Sequence, residues 1–132
     1  MAIKNHPRKR FAGKTVLIVD DNDVIRKILV IAFLSDGFET CAEAENGRQG
    51  IQVAKRVRPD LIILDLSMPV MNGLEAAPRL RELCPKSSIF LFSLYTDSLL
   101  KENALKAGVD LVVSKTEPLD TLVEKAHALM ND

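Results

Sequence analysis

The sequence predicts an α/β protein, a doubly wound three-layer sandwich in which helices cover both faces of a parallel sheet. Four short apolar runs in the chain are continuous rather than alternating, which is typical of strands buried on both faces. Segments with helical periodicity separate these runs. Because crossovers between parallel strands are right-handed, alternating strands and helices place helices on both faces of the sheet.

The strands are predicted from runs of apolar residues. A fifth run is weaker and half polar, and it completes five strand–helix repeats. In chain order the predicted strands are residues 16–19, 38–42 (the weak run), 61–64, 89–92 and 111–113.

The first two helices are predicted from stripes of apolar residues at helical spacing. The first stripe comprises Ile25, Ile28, Leu29 and Ala32, and the second comprises Ile51, Ala54 and Val57. Gly37 is suited to the end of the first helix, because a left-handed residue often follows a helix. Pro59 follows the second stripe and cannot continue a helix.

Capping residues mark the remaining helices. Asn72 and Glu75 form a capping pair for the third, in which Pro78 removes one backbone hydrogen bond. Asp97 or Ser98 caps the fourth helix, and Gly108 ends it. The fifth has Pro118 in its first turn. Its apolar stripe comprises Leu119, Leu122, Val123, Ala126 and Leu129.

Composition predicts one globular domain of a cytoplasmic protein. The chain has 132 residues, 47% of them apolar and 27% charged, which is enough to bury a core. Its two cysteines, Cys41 and Cys84, form no C-x-x-C pair, and no signal peptide precedes them, which favours a reducing compartment. No apolar run approaches the roughly 18 residues of a membrane span, so we expect no membrane partner.

Charge is unevenly distributed, although the net charge is zero. Residues 1–14 carry five basic residues and no acid, and the rest carries 13 basic and 18 acidic residues. We therefore divide the chain into a basic N-terminal arm, residues 1–13, expected to be solvated and flexible, and a folded domain, residues 14–132.

A polar residue follows each of the four strong strands. Asp20 and Asp21 follow the first, Asp65 follows the third, Ser93 follows the fourth, and Lys115 comes shortly after the fifth. The carboxyl ends of parallel strands lie at one edge of the sheet, where ligands of open α/β sheets bind. These side chains are therefore expected to converge.

The converging residues favour phosphoryl chemistry assisted by a divalent cation. Three carboxylates in one crevice repel one another, and Mg²⁺, which prefers oxygen ligands, relieves that repulsion. A lysine and a hydroxyl are suited to bind phosphoryl oxygens beside them. An aspartate carboxylate can attack phosphorus to give an acyl phosphate, while positive charge stabilises the transferred group.

This ordered set resembles the receiver domain of bacterial two-component response regulators from about Lys14 to the end of the chain. The matching features are the acid pair after the first strand, the Asp65 strand with Met68-Pro69 and Gly73 behind it, Phe-Ser93, and Ala107-Gly108 seven residues before Lys115. The resemblance implies a flavodoxin-like fold with strand order 2-1-3-4-5. It assigns residues 14–132 to the receiver domain.

The resemblance also implies a role for each site residue. Asp65 becomes the aspartyl phosphate, Ser93 binds the phosphoryl group, and Lys115 pairs with a phosphoryl oxygen. Four groups would hold Mg²⁺, the carboxylates of Asp20, Asp21 and Asp65 and the backbone carbonyl of Ser67.

The implied partners are a sensor histidine kinase or phosphotransfer protein, a downstream effector domain or protein, and a second copy in a homodimer. The domain would be a signalling protein rather than an enzyme, acting only on its own phosphorylation state. No nucleic-acid motif is present, so direct nucleic-acid binding is not indicated.

Three positions depart from the family pattern. Thr116 stands where many receivers have proline, so we expect the preceding peptide bond to be trans. Receivers that lack proline at this position occur joined to helix-turn-helix output domains. Val112 replaces the usual aromatic switch residue, and Leu94 is larger than usual. Tyr95, the single tyrosine, would shield the phosphoryl group or cap the fourth strand.

Two alternatives compete with this interpretation. One is a phosphatase of the haloacid-dehalogenase type, because Asp21-Asn-Asp23-Val after a strand fits its D-x-D-x-V motif. The other is an interaction module with a receiver fold that is never phosphorylated. His6 and His127 lie away from the strand ends and are interpreted as surface residues.

Overall fold

A computed structural model describes residues 11–130, which form five strands and five helices in strict alternation. The strands are β1 (Thr15–Val19), β2 (Thr40–Ala44), β3 (Leu61–Asp65), β4 (Ser88–Ser93) and β5 (Leu111–Ser114). The helices are α1 (Asp23–Ser35), α2 (Gly47–Val57), α3 (Gly73–Leu83), α4 (Ser98–Lys106) and α5 (Leu119–Met130). The predicted alternation is therefore confirmed.

The sheet has the predicted order β2-β1-β3-β4-β5, and each of its four pairings is parallel. The chain runs from β1 outward to β2 and then back past β1 to β3. Strand order thus reverses between β1 and β3, which is the point where ligands bind in sheets of this type.

Alternate strand residues enter two separate cores. In β1, Val16 and Ile18 face α1 and α5, whereas Leu17 and Val19 face α2, α3 and α4. All four are fully buried. Because both faces of the sheet are covered, the apolar runs are continuous rather than alternating, as the sequence predicted.

Side-chain caps fix where the helices begin. Asn22, Asn46, Asn72 and Asp97 each accept a backbone hydrogen bond from the first turn of α1, α2, α3 and α4 in turn. Asn72 and Glu75 form the predicted capping box, and Pro78 lies inside α3. These caps place the start of α1 and the start of α3 beside the ends of β1 and β3.

Two predicted elements differ in detail. The weak second strand begins at Thr40 rather than at residue 38, because Phe38 lies between α1 and β2, where its ring packs against Phe11 and Phe33. The buried face of α1 comprises Arg26, Leu29 and Phe33. Ile28, which belongs to the predicted apolar stripe, is 45% exposed.

The packed domain begins before the predicted boundary at residue 14. Phe11 is fully buried, and its ring stacks on Phe38 with centroids 4.2 Å apart. The backbone N–H of Gly13 donates to Glu39 at 2.6 Å. Residues 11–13 are therefore part of the domain, whereas residues 1–10 of the predicted arm, and His6 with them, lie outside the described residues.

His127, predicted to be a surface residue, is half-buried. The centroid of its ring lies 4.7 Å from that of the Phe11 ring, and its Nε2 contacts the Asp36 carboxylate. Within residues 11–130, no helix is both long and apolar enough to cross a membrane.

Candidate functional site

The predicted site residues meet at the carboxyl edge of the sheet. Asp20 follows β1, Asp65 ends β3, Ser93 ends β4 and Lys115 follows β5. A hydrogen bond of 2.8 Å from the Lys115 backbone N–H to the Ser93 carbonyl holds the ends of β4 and β5 together. The parallel register alone brings these residues together, as the sequence predicted.

Three carboxylates form a cluster suited to a metal ion. Oxygen atoms of Asp20, Asp21 and Asp65 lie within 4.8 Å of one another. Asp20 and Asp65 are buried, at 1% and 3% exposure, whereas Asp21 is exposed. Because Asp21 is exposed while the other two carboxylates are buried, a bound ion would have an open side for water or a phosphoryl group.

Asp20 has one satisfied and one unsatisfied oxygen. Its Oδ1 accepts from the Asn22 backbone N–H at 2.9 Å, whereas the buried Oδ2 accepts no hydrogen bond. A buried carboxylate oxygen without a donor is costly unless a cation is nearby. The donor set and this unsatisfied oxygen both fit a hard divalent cation such as Mg²⁺.

Arg26, which was not among the predicted site residues, positions the Asp20 backbone. Its guanidinium donates to the Asp20 carbonyl at 2.7 Å and to Glu43 at 2.9 Å. The residue is only 7% exposed. The available signal was an arginine next to the apolar stripe of α1 and one turn after the acid pair.

Lys115 connects the two buried carboxylates. Its Nζ lies 2.7 Å from Asp65 Oδ1 and 3.8 Å from Asp20 Oδ2. The ammonium also lies 5.5 Å from the centre of the Phe92 ring. Lysine charge is thus held beside the oxygen expected to attack phosphorus, where it can stabilise negative charge on a transferred group.

Burial raises the pKa of both inner carboxyl groups. For Asp65, loss of hydration is the largest cause, and the Lys115 hydrogen bond opposes it while the Asp20 charge adds to it. For Asp20, burial again dominates and raises the pKa, opposed by the Asn22 N–H and by Lys115. A divalent cation would reverse this balance by favouring the ionised forms.

The loop from β3 to α3 wraps tightly around the Asp65 backbone. A Cβ on Gly73 would lie 2.4 Å from the Asp65 carbonyl oxygen, so only glycine fits there. Val70 has a φ of 69°, which is strained for a β-branched residue. The backbone of Ser67 lies close enough to the Asp65 carboxyl group to lower its pKa, against the larger effect of burial. The role of the Ser67 carbonyl as a metal ligand stays a prediction.

The remaining predicted residues line the same edge. Ser93 is 1% exposed, and its Oγ accepts from the Tyr95 backbone N–H at 2.9 Å. The Tyr95 side chain is 61% exposed. Among residues 11–130 no peptide bond is cis, so the bond between Lys115 and Thr116 is trans as predicted.

Comparison with known proteins identifies the family. The response regulator receiver domain matches residues 16–127, which include every predicted site residue. The chain belongs to this family. It is a phosphoacceptor domain of a two-component signalling system, and like other receiver domains it is a signalling domain. The match supports neither the phosphatase alternative nor the interaction module that is never phosphorylated.

Curated relatives fall into two groups. The chemotaxis protein CheY of Thermotoga maritima is 35% identical over 80% of this chain and 89% of its own length. The nitrate/nitrite response regulator NarL of Escherichia coli is 38% identical over 86% of this chain but only 53% of its own length. The chain therefore spans about half the length of the relatives of the second group.

Solved structures agree with the fold. Chemotaxis protein CheY4 of Vibrio cholerae superposes with a TM-score of 0.83 at 27% identity, covering 91% of this chain and 99% of that chain. A DNA-binding response regulator of the LuxR family from Staphylococcus aureus superposes with a TM-score of 0.81 at 26% identity, covering 90% and 99%.

Proposed function

We propose that Asp65 is the phosphoacceptor and that a histidine kinase or phosphotransfer protein is the donor. The observation that carries this proposal is the position of Lys115 Nζ, 2.7 Å from Asp65 Oδ1 within a cluster of three carboxylates. A lysine so placed would be redundant for holding a metal ion, but it matches the extra negative charge that a phosphoryl group brings.

In the proposed transfer, a carboxylate oxygen of Asp65 attacks the phosphorus of a phosphohistidine in line with the phosphorus–nitrogen bond. The oxygen–phosphorus bond forms as the phosphorus–nitrogen bond breaks. The electron pair of the phosphorus–nitrogen bond remains on the imidazole, which then takes a proton. Lys115 stabilises one equatorial oxygen and Ser93 donates its hydroxyl to another.

Asp20, Asp21, Asp65 and the Ser67 carbonyl would hold Mg²⁺, which would supply positive charge to the transferred group. The buried, unsatisfied Oδ2 of Asp20 supports this assignment. The Arg26 guanidinium donates to the Asp20 carbonyl at 2.7 Å, and the Asn22 backbone N–H donates to the Asp20 carboxylate at 2.9 Å. These bonds orient Asp20, so this ligand would be in place before the ion binds.

We further propose that residues 11–130 act as a receiver coupled to an effector. NarL-type relatives have about twice this length, so the effector would be a further domain or a separate protein, and a homodimer is one form of output. Val112 lacks the ring of an aromatic switch, and any output must be transmitted without it. A cytoplasmic location stays a prediction, which cell fractionation can check.

The experiment is phosphorylation by acetyl phosphate, read as added mass on the intact protein. Wild type should gain one phosphoryl group in the presence of Mg²⁺ and none after chelation. Asp65→Asn should gain none, whereas Asp120→Asn, a control at an exposed carboxylate of α5, should behave as wild type. Equal labelling of Asp65→Asn and wild type would contradict the assignment.

A further inference from the structure

We propose that the basic segment of residues 1–10 docks in a cleft between α1 and α5 of its own chain. The cleft, here called the α1–α5 groove, has a volume of about 460 Å³. Ala32, Leu119 and Val123 supply its apolar surface, and Asp36, Asp120 and Glu124 supply its carboxylates. This surface is distinct from the phosphoacceptor site at the carboxyl edge of the sheet.

Charge makes the two partners complementary. Residues 1–10 carry Lys4, Arg8, Lys9 and Arg10 and no acid. The groove carries three carboxylates, and the single basic group among its lining residues is His127, which is paired with Asp36. Asp120 and Glu124 are exposed on α5, one turn apart, and point a pair of carboxylates toward the same rim.

Phe11 fixes the origin of the segment at one end of this groove. Its ring is fully buried and lies 4.7 Å from the ring of His127, a residue that lines the groove. The Phe38 ring also stacks on Phe11, with centroids 4.2 Å apart. Phe11, to which the segment is joined, is therefore held next to the groove.

The segment is long enough to cover the groove. Ten residues reach at most about 35 Å when extended. From His127 back to Leu119 the groove follows eight residues of α5, about 12 Å at the rise of an α-helix. A tether this short holds the segment at an effective concentration of the order of millimolar, so weak ion pairs suffice for substantial occupancy.

The test is the rate at which trypsin cuts the Lys4–Asn5 bond of the full chain, followed by intact mass. Docking requires wild type at low salt to be cut about fivefold more slowly than a free peptide of residues 1–14, as expected for a few exposed ion pairs of modest strength. Added salt should remove most of this protection, because it screens exposed charges, and the free peptide corrects for the effect of salt on trypsin itself.

Charge variants locate the protecting surface. Asp120→Asn with Glu124→Gln should bring the cutting rate close to that of the free peptide. The matched control removes the same charge from the opposite face of the sheet, through Glu82→Gln with Glu102→Gln on α3 and α4, and it should leave the wild-type rate unchanged.

Two results would overturn the proposal. Equal cutting rates for the groove variant, the control variant and wild type would show that the groove does not hold the segment. Protection that disappears on dilution would show that the segment binds a second copy rather than its own chain. Protection that is independent of concentration and lost only in the groove variant supports docking within one molecule.

Discussion

Replacement of Gly73 by alanine tests how closely the β3–α3 loop holds the phosphoacceptor. The added Cβ would lie 2.4 Å from the Asp65 carbonyl oxygen and 2.8 Å from Leu91 Cδ1. A contact with a backbone atom cannot be relieved by rotating a side chain, so the loop or the end of β3 must move. The Gly73 N–H also donates to Leu66 at 3.0 Å, and that bond opposes the movement.

Such overpacking costs about 1–3 kcal/mol. For a domain of this size we therefore expect the melting temperature of Gly73→Ala to fall by about 5–15 °C. Displacement of Asp65 relative to Lys115 should slow phosphorylation by acetyl phosphate by about 10- to 100-fold, as small misplacements of reacting groups do. Calorimetry and a labelling time course measure the two effects.

Gly50→Ala is the control. There the new Cβ would meet two methyl groups of Val19 at 3.1 and 3.2 Å, a milder contact than 2.4 Å to a backbone oxygen, and alanine in place of glycine inside a helix gains about 0.5–1 kcal/mol. We expect this variant to be close to wild type in both assays. If Gly73→Ala melts and is labelled like Gly50→Ala, the loop is not the rigid support described here.

Three further predictions concern the site itself. Because the raised pKa of Asp20 and Asp65 makes the folded state bind more protons, their contribution to the unfolding free energy of the metal-free protein should fall as pH rises above about 4. Urea titrations of wild type against Asp65→Asn check this, and a difference independent of pH would contradict it. Lys115→Ala should retain Mg²⁺ binding, measured by calorimetry, but lose at least about tenfold in phosphorylation rate, since its charge stabilises the transferred group; an unchanged rate would remove Lys115 from the site. Tyr95→Ala should dephosphorylate faster than wild type at equal Mg²⁺, because the ring can cover the path of an attacking water. Equal decay rates would show that Tyr95 leaves that path open.

The sheet and its edge were predictable because both depend on local signals. Continuous apolar runs define parallel strands, and the carboxyl ends of such strands meet wherever the order reverses. Asp20, Asp65, Ser93 and Lys115 therefore come together without any reasoning about distant contacts. The half-polar second strand lies two residues later than predicted, because its apolar pattern begins at Phe38, whose ring packs in the loop before β2.

Residues with long-range roles could not be predicted. Arg26 is buried because its guanidinium donates to the Asp20 carbonyl and to Glu43, whereas Ile28, on the predicted apolar stripe, is exposed. Phe11 lies in a basic stretch, yet it is fully buried because its ring contacts Phe38 and His127 from two distant parts of the chain. In both residues burial depends on which parts of the fold come together, and composition and spacing do not reveal this.

The most direct test of the central claim is to locate the phosphoryl group chemically. An acyl phosphate is reduced by borohydride, which converts the modified aspartate to homoserine. After phosphorylation by acetyl phosphate with Mg²⁺ and reduction, peptide mass spectrometry should find homoserine at position 65, and at neither Asp20 nor Asp21. Homoserine at another aspartate, or none in a sample shown to carry a phosphoryl group, would contradict the assignment of Asp65.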